Sequence, residues 1–234
     1  MIRTFNEYHL GDNLIHLNYL RRLGLPATHY CHQHYHDQLL PLIEDTDIVL
    51  IDLPAKPADA INAWIGANNT FQTRPPGTTW SEFYTHWFSK MSEQLSVVNP
   101  IKNKDDFLFD YPELQRKEYP QYDYLIINSV PMSGQLPDYN PWFFEKLIKK
   151  YLEEGSTVIT TLPTGQCQST IELNMSVTDI GAIAKSCKAI TAVETGPLWT
   201  TYNPYAKHPA RTVFTQTHTI DLLNTTTYPT LPNM

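Results

Sequence analysis

The first residues able to do chemistry stand where an apolar run gives way to a helical pattern. Asp12 follows Gly11 and the strand-like residues 2–8, and Asn13 opens a series of leucines at three- and four-residue steps that stops at Gly24. A carboxylate at such a turn can accept the proton of a hydroxyl as a general base. It can also cap the helix, because Asp is a favoured N-cap residue, and the two roles are compatible.

Three loops in the second half have the composition of ligand-binding turns. They follow the apolar runs YLIINSV (124–130), TVITTL (157–162) and AITAV (189–193). A glycine lets a ligand approach the backbone, and the free amides of a helix start attract an anion such as a phosphate. For the third loop, a plain turn capped by Thr195 is the alternative. The candidate contacts in these loops are Ser133, Gly134, Gln135, Thr164, Gly165, Glu194, Thr195, Gly196 and Pro197.

Several other chemistries lack their motifs. The patterns G-x-G-x-x-G, G-x-x-x-x-G-K and G-x-S-x-G do not occur, which argues against a dinucleotide fold fingerprint, a P-loop and a hydrolase nucleophile elbow. His32, His34 and His36 alternate and would share one face of a strand, where imidazoles can ligate zinc. Because the run lies where a strand should pass into a loop, we expect a polar loop there, and neither a metal nor a cofactor.

The elements that position these residues alternate between strand and helix. Apolar runs at 28–31, 48–53, 124–130, 157–162, 189–193 and 211–215 read as strands, and periodic segments between most of them read as helices. This order is typical of parallel sheets with crossover helices. We also expect a capped helix from Thr79 with Glu82, a short helix at 60–65, a helix from residue 196 onward through Trp199 and Tyr202, and an irregular tail at 224–234.

Proline-rich residues 99–122 predict a connection between two halves. The expected domains are therefore 1–98 and 123–234, with 99–122 as a linker. The formal charge of −7 and the absence of dense basic runs argue against nucleic acid as a partner. No apolar run approaches the roughly 20 residues of a membrane span, and the three cysteines form no C-x-x-C pair, so we expect a cytoplasmic protein without a transmembrane segment.

Three segments resemble the heptosyltransferase-type glycosyltransferases, in the same order along the chain. They are YHLGDNLIHLNYLRRLGL, YDYLIINSVPMSGQLPDYNPWFFEKLIKKYLEEGSTVITTLP and TDIGAIAKSCKAITAVETGPLW. The resemblance implies an α/β protein of the GT-B type, with two Rossmann-like domains, mostly parallel sheets, facing one another across a cleft. Gly11 and Asp12 match the family's first Gly-Asp turn. Glu194, Thr195 and Gly196 match its Asp-Thr-Gly donor-site turn.

By this resemblance the chain is expected to be a metal-independent enzyme that moves a sugar from a nucleotide-activated donor to an acceptor hydroxyl of a glycan or glycolipid. Asp12 would be the base, and Glu194 would contact sugar hydroxyls. Residues 131–140 offer no equivalent of the lysine common in the family, which favours a catalytically silent module that binds a sugar nucleotide or a partner protein as the alternative. A nucleotide-sugar hydrolase or epimerase is a further alternative.

Overall fold

A computed structural model describes residues 1–67, 78–132 and 134–232 of the chain. The chain divides into two compact units, unit 1 (Met1–Leu108) and unit 2 (Phe109–Met234). Each unit carries one parallel sheet, so the predicted α/β class is confirmed. The predicted linker and domain bounds stay predictions.

The sheet of unit 1 has four parallel strands in the order β3-β2-β1-β4. From β1 the chain moves outward to β2 and β3 and then returns to the other side of β1 for β4. The strand order therefore reverses between β1 and β4, which is the position where ligands bind in open α/β sheets. The strands are β1 (Ile2–Phe5), β2 (Ala27–Cys31), β3 (Ile48–Asp52) and β4 (Ile61–Asn62).

The helices of unit 1 follow the apolar periodicity of the sequence. The predicted capping box of α3 is confirmed, since the Thr79 hydroxyl accepts from the Glu82 amide and Glu82 accepts from the Thr79 amide. Its aromatic face is buried, and the Phe88 ring stacks on Tyr19 of α1 with centroids 4.6 Å apart. The predicted helix at 60–65 is wrong, because residues 61–62 instead pair with β1. The helices are α1 (Leu10–Leu23), α2 (His36–Leu39) and α3 (Trp80–Leu95).

The sheet of unit 2 has five parallel strands in the order β6-β5-β7-β8-β9. Its order reverses between β5 and β7, so the loops after these two strands flank the second switch point. The strands are β5 (Tyr124–Ile127), β6 (Val158–Thr160), β7 (Ala189–Val193), β8 (Ala210–Phe214) and β9 (Thr225–Tyr228).

The helix starts of unit 2 were readable from the sequence, whereas its last strand was not. Asn140 caps α5 by accepting from the Trp142 amide, and Ser176 with Asp179 forms the capping box of α6. The irregular tail expected at 224–234 is wrong in part, because β9 pairs in parallel with β8. The helices are α4 (Pro112–Arg116), α5 (Pro141–Glu153), α6 (Val177–Ile183) and α7 (Gly196–Trp199).

No helix in the described ranges is both long and apolar enough to cross a bilayer.

Candidate functional site

The turn after β1 places Asp12 differently from the sequence expectation. Helix α1 begins at Leu10 with His9 as its N-cap residue, so Gly11 and Asp12 lie inside the first turn rather than before it. The reading of Asp12 as the N-cap is therefore wrong. Its carboxylate sits at the third helical position, where the helix macrodipole favours a negative charge, and 18% of the side chain is exposed.

Asn13 is fully buried, and both the nitrogen and the oxygen of its side-chain amide form hydrogen bonds. Its Nδ2 donates to the His9 carbonyl at 2.9 Å, and its Oδ1 contacts His29 Nε2 at 2.8 Å. His29 Nδ1 contacts the Thr4 hydroxyl, which also contacts His16 Nε2, both at 3.0 Å. Asn13 thus joins a buried chain of side chains behind the turn, and its predicted substrate contact stays a prediction.

The hydrogen-bond directions fix the protons in this chain. Because Asn13 Oδ1 can only accept, His29 carries its proton on Nε2, and the Thr4 hydroxyl donates to Nδ1. The Thr4 oxygen then accepts from His16 Nε2. Burial, with a smaller effect of His36, lowers the pKa of His29 to about 3, and burial holds the pKa of His16 well below its usual range. Both imidazoles are therefore neutral at ordinary pH.

The two loops at this switch point meet through aromatic rings. Tyr8, after β1, stacks on Trp64, after β4, with centroids 4.0 Å apart. The His9 ring lies 6.3 Å from the Tyr8 ring and carries its Nδ1 3.7 Å from Asp12 Oδ2. The switch point of unit 1 therefore joins an aromatic pair with an imidazole and a carboxylate.

The histidine run does not build a metal site. Strand β2 ends at Cys31, so the alternation stops there, and residues 33–35 form a 3-10 helix. The rings of His32 and His34 stack 5.3 Å apart, whereas His36 is buried. Within the described part of the chain, no three His, Cys, Asp or Glu side chains are grouped so as to hold a metal ion.

Next to the switch point of unit 2, the Asn128 side chain joins the loops that follow β5 and β6. Its Oδ1 accepts from the Leu162 amide at 2.8 Å and from the Thr161 hydroxyl at 3.0 Å, and its Nδ2 donates to the Leu162 carbonyl. Asn128 is 5% exposed, so these bonds are made away from water and are strengthened by that burial. The side-chain amide of Asn128 therefore holds the ends of β5 and β6 side by side.

Glu194, directly after β7, is buried among partners from the loop after β8. Its carboxylate accepts from the Thr215 hydroxyl, from the Thr217 hydroxyl at 2.8 Å and from His218 Nε2 at 2.9 Å. Burial acts to raise the pKa of Glu194, but the charge of His218 and the three hydrogen bonds outweigh it and hold the pKa below its ordinary value. The Glu194 carboxylate is thus ionised and engaged within unit 2.

The remaining candidate residues that the structure describes follow the carboxyl ends of β5, β6 and β7, along the same edge of the sheet. The Gln135 carbonyl accepts from the Gln216 amide at 2.7 Å, so the loops after β5 and β8 meet although β7 lies between these strands. Gly134 and Gly165 are exposed with positive φ of 76° and 71°. Ser133 lies outside the described residues. Thr164 accepts from the Gln166 amide at 3.5 Å.

The loop of Thr195, Gly196 and Pro197 forms the start of α7, as expected, but without a side-chain cap. The Thr195 hydroxyl donates to the Val193 carbonyl at 3.3 Å instead of capping the helix. The three residues are half-buried at the carboxyl end of β7. Helix α7 is one turn long and stops at Trp199, shorter than the helix expected through Tyr202.

Sequence reasoning missed the partners of Glu194, which lie 21 to 24 residues away along the chain. The segment TQTHT directly after β8 carried a signal, since parallel neighbours end at the same edge of the sheet. Thr215, Thr217 and His218 were therefore detectable once β8 was paired with β7.

Known structures share this architecture. The heptosyltransferase WaaC of E. coli, solved with ADP-2-deoxy-2-fluoro heptose, aligns over 97% of this chain and 93% of its own with a TM-score of 0.62 and 10% identity. The chain has the heptosyltransferase fold. The glycosyl transferase family 9 structure from Veillonella parvula aligns over 97% and 85% with a TM-score of 0.53 and 11% identity. The E. coli ADP-heptose lps heptosyltransferase II aligns over 97% and 90% with a TM-score of 0.50 and 10% identity.

The resemblance read from the sequence is confirmed as a resemblance of fold. No protein-family model matches the sequence, and no curated protein matches it.

Proposed function

We propose that this chain is a glycosyltransferase that moves a sugar from a nucleotide-activated donor to an acceptor hydroxyl of a glycan or glycolipid. The observation that carries the proposal is the placement of the candidate residues. The candidates that the structure describes lie at the carboxyl ends of parallel strands, and all except Thr164 and Gly165 lie where the strand order reverses, in a fold shared with heptosyltransferases.

Unit 2 is the proposed donor side, because it contains the donor-site turn expected from the sequence, which lies in the expected domain 123–234. Gly134, Gln135, Thr164, Gly165 and the segment 195–197 border one edge of its sheet and offer backbone amides, hydroxyls and an amide side chain to a diphosphate. Ser133 belongs to the same proposed loop. The Glu194 carboxylate already accepts three hydrogen bonds from the loop after β8, so its proposed role on the donor side is to hold that loop in place.

A thermal-shift screen tests the donor side. The panel is ADP, UDP and GDP with ADP-heptose, UDP-glucose and GDP-mannose. A ligand at 100 times its dissociation constant should add about 2.7 kcal/mol of stability. Gly196→Val should weaken binding of the stabilising nucleotide about 10-fold or more, with Gly196→Ala as the smaller control. A protein that no member of the panel stabilises would not be a nucleotide-sugar enzyme of this kind.

Unit 1 is the proposed acceptor side, with Asp12 as the general base. Asp12→Asn keeps the size of the side chain but cannot take a proton, so transfer should fall by roughly 10² to 10⁴. The melting temperature and nucleotide affinity should stay close to those of the parent. Normal transfer by Asp12→Asn would remove Asp12 from the mechanism and leave it as part of the helix start.

A catalytically silent module that binds a sugar nucleotide is the second candidate, favoured by the internal engagement of Glu194. Turnover separates the two functions. If a nucleotide sugar stabilises the protein but is neither transferred nor hydrolysed, the binding module is the correct reading.

A further inference from the structure

The first turn of α1 brings two titratable side chains close together. His9 Nδ1 lies 3.7 Å from Asp12 Oδ2, and the spacing of three residues puts both groups on one face of the helix start. The His9 side chain is 40% exposed, so its imidazole can exchange a proton with solvent. Contacts of this length in a free enzyme often tighten when substrate binds.

The position of His9 is set by the buried chain behind it. Its carbonyl accepts from the Asn13 amide at 3.2 Å and from Asn13 Nδ2 at 2.9 Å. Asn13 is held in turn by His29 at 2.8 Å. A residue whose backbone is fixed in this way presents its ring from a constant place at the switch point.

We infer that His9 is the group to which Asp12 passes the proton of the acceptor hydroxyl. The inference rests on the proposed function and deepens it. In the transfer step the acceptor oxygen forms a bond to the anomeric carbon, and the bond from that carbon to the donor diphosphate oxygen breaks. The diphosphate leaves with the electron pair, and the hydroxyl proton moves to the Asp12 carboxylate and then to His9 Nδ1.

An imidazole suits this role better than a carboxylate alone. An ordinary aspartic acid has a pKa of about 3.9 and holds a proton poorly at neutral pH, whereas a proton acceptor works best when its pKa is near the working pH. The contact with Asp12 raises the pKa of His9, against the opposing effect of partial burial. Tyr8 is the ring neighbour of His9 on the same turn. Burial raises the pKa of Tyr35, after β2, and the nearby charge of Asp12 raises it further.

Histidine NMR titration tests the pair in the free protein, without any substrate. The His9 resonance, assigned by its loss in His9→Gln, should titrate above the ordinary value of about 6.5. In Asp12→Asn its midpoint should fall back toward that value. A His9 midpoint that does not respond to Asp12→Asn would overturn the inference.

A pH profile of kcat/KM tests the role in the reaction, with the nucleotide sugar of the panel that stabilises the protein most. His9→Gln should lower kcat/KM at pH 7 by about 10- to 100-fold, less than Asp12→Asn does. The parent should lose activity as pH falls through the His9 pKa, because the imidazolium cannot accept a proton. His9→Gln should lack that loss, and His86→Gln should match the parent.

The outcomes separate the two proposals. If Asp12→Asn is inactive while His9→Gln keeps the rate and pH profile of the parent, Asp12 remains the base and the inference about His9 fails. If Asp12→Asn is fully active, or no nucleotide sugar is used, the proposed function fails and the role of His9 fails with it.

Discussion

Acid should destabilise unit 1 through the buried histidines behind the first turn. The folded protein keeps His29 neutral down to a pKa of about 3, whereas the unfolded chain binds a proton near its ordinary pKa of 6.5. The unfolded state therefore holds more protons below pH 6.5, so the stability that neutral His29 contributes is complete above that pH and is lost as pH falls toward 3.

The size of this loss follows from the pKa difference. For each histidine that the fold keeps neutral, every pH unit below 6.5 lowers the free energy of unfolding by about 1.36 kcal/mol. His29 alone should therefore lower it by about 2 kcal/mol at pH 5. His16, fully buried with a strongly lowered pKa, should act in the same direction.

Urea unfolding at pH 7 and pH 5, followed by tryptophan fluorescence, measures this loss. His29→Gln retains an amide donor and acceptor but does not titrate, so the difference between the two pH values should be about 2 kcal/mol smaller than in the parent. His86→Gln, at an exposed position, should behave as the parent does. Equal losses in the parent and His29→Gln would refute the reasoning.

Two further predictions concern unit 2. At Gly181 an added Cβ would lie 2.7 Å from both Leu114 Cδ2 and the Thr200 carbonyl, so Gly181→Ala should cost about 1 to 3 kcal/mol in thermal unfolding; an unchanged melting temperature would contradict the close approach. Glu194→Gln keeps the size of the side chain but removes the charged acceptor of three buried hydrogen bonds, so it should cost about 1 to 3 kcal/mol at pH 7 by urea unfolding, whereas an unchanged free energy of unfolding would mean that the fold does not need this charge.

Where local chemistry marks an element, the sequence was enough to predict it. Strand β7 is a run of apolar and β-branched residues, and helices α3 and α6 begin with hydroxyl caps followed by an acid three residues later. The start of α1 carries no such mark, because His9 caps it without a side-chain hydrogen bond. The helix start was therefore placed too late, and the inward direction of the Asn13 side chain was missed.

The features that escaped prediction depend on pairing between distant segments. Strand β4 contains two residues, too few for any periodicity, and only β1 beside it defines the strand. Strand β9 is a threonine-rich segment that resembles a loop in composition. The partners of Glu194 likewise come together only when β7 and β8 are neighbours. Tertiary context, and not local propensity, decides such elements.

Strand β9 also has a consequence for solubility. It is the last strand of its sheet and covers β8, whose Val213 and Phe214 are buried. A chain that ended before Thr225 would present the hydrogen-bonding groups of β8 to solvent as a bare edge next to apolar side chains. Such an edge is a template for pairing with other chains, and β9 replaces it with a four-residue, threonine-rich edge, which is a weaker template because it is so short.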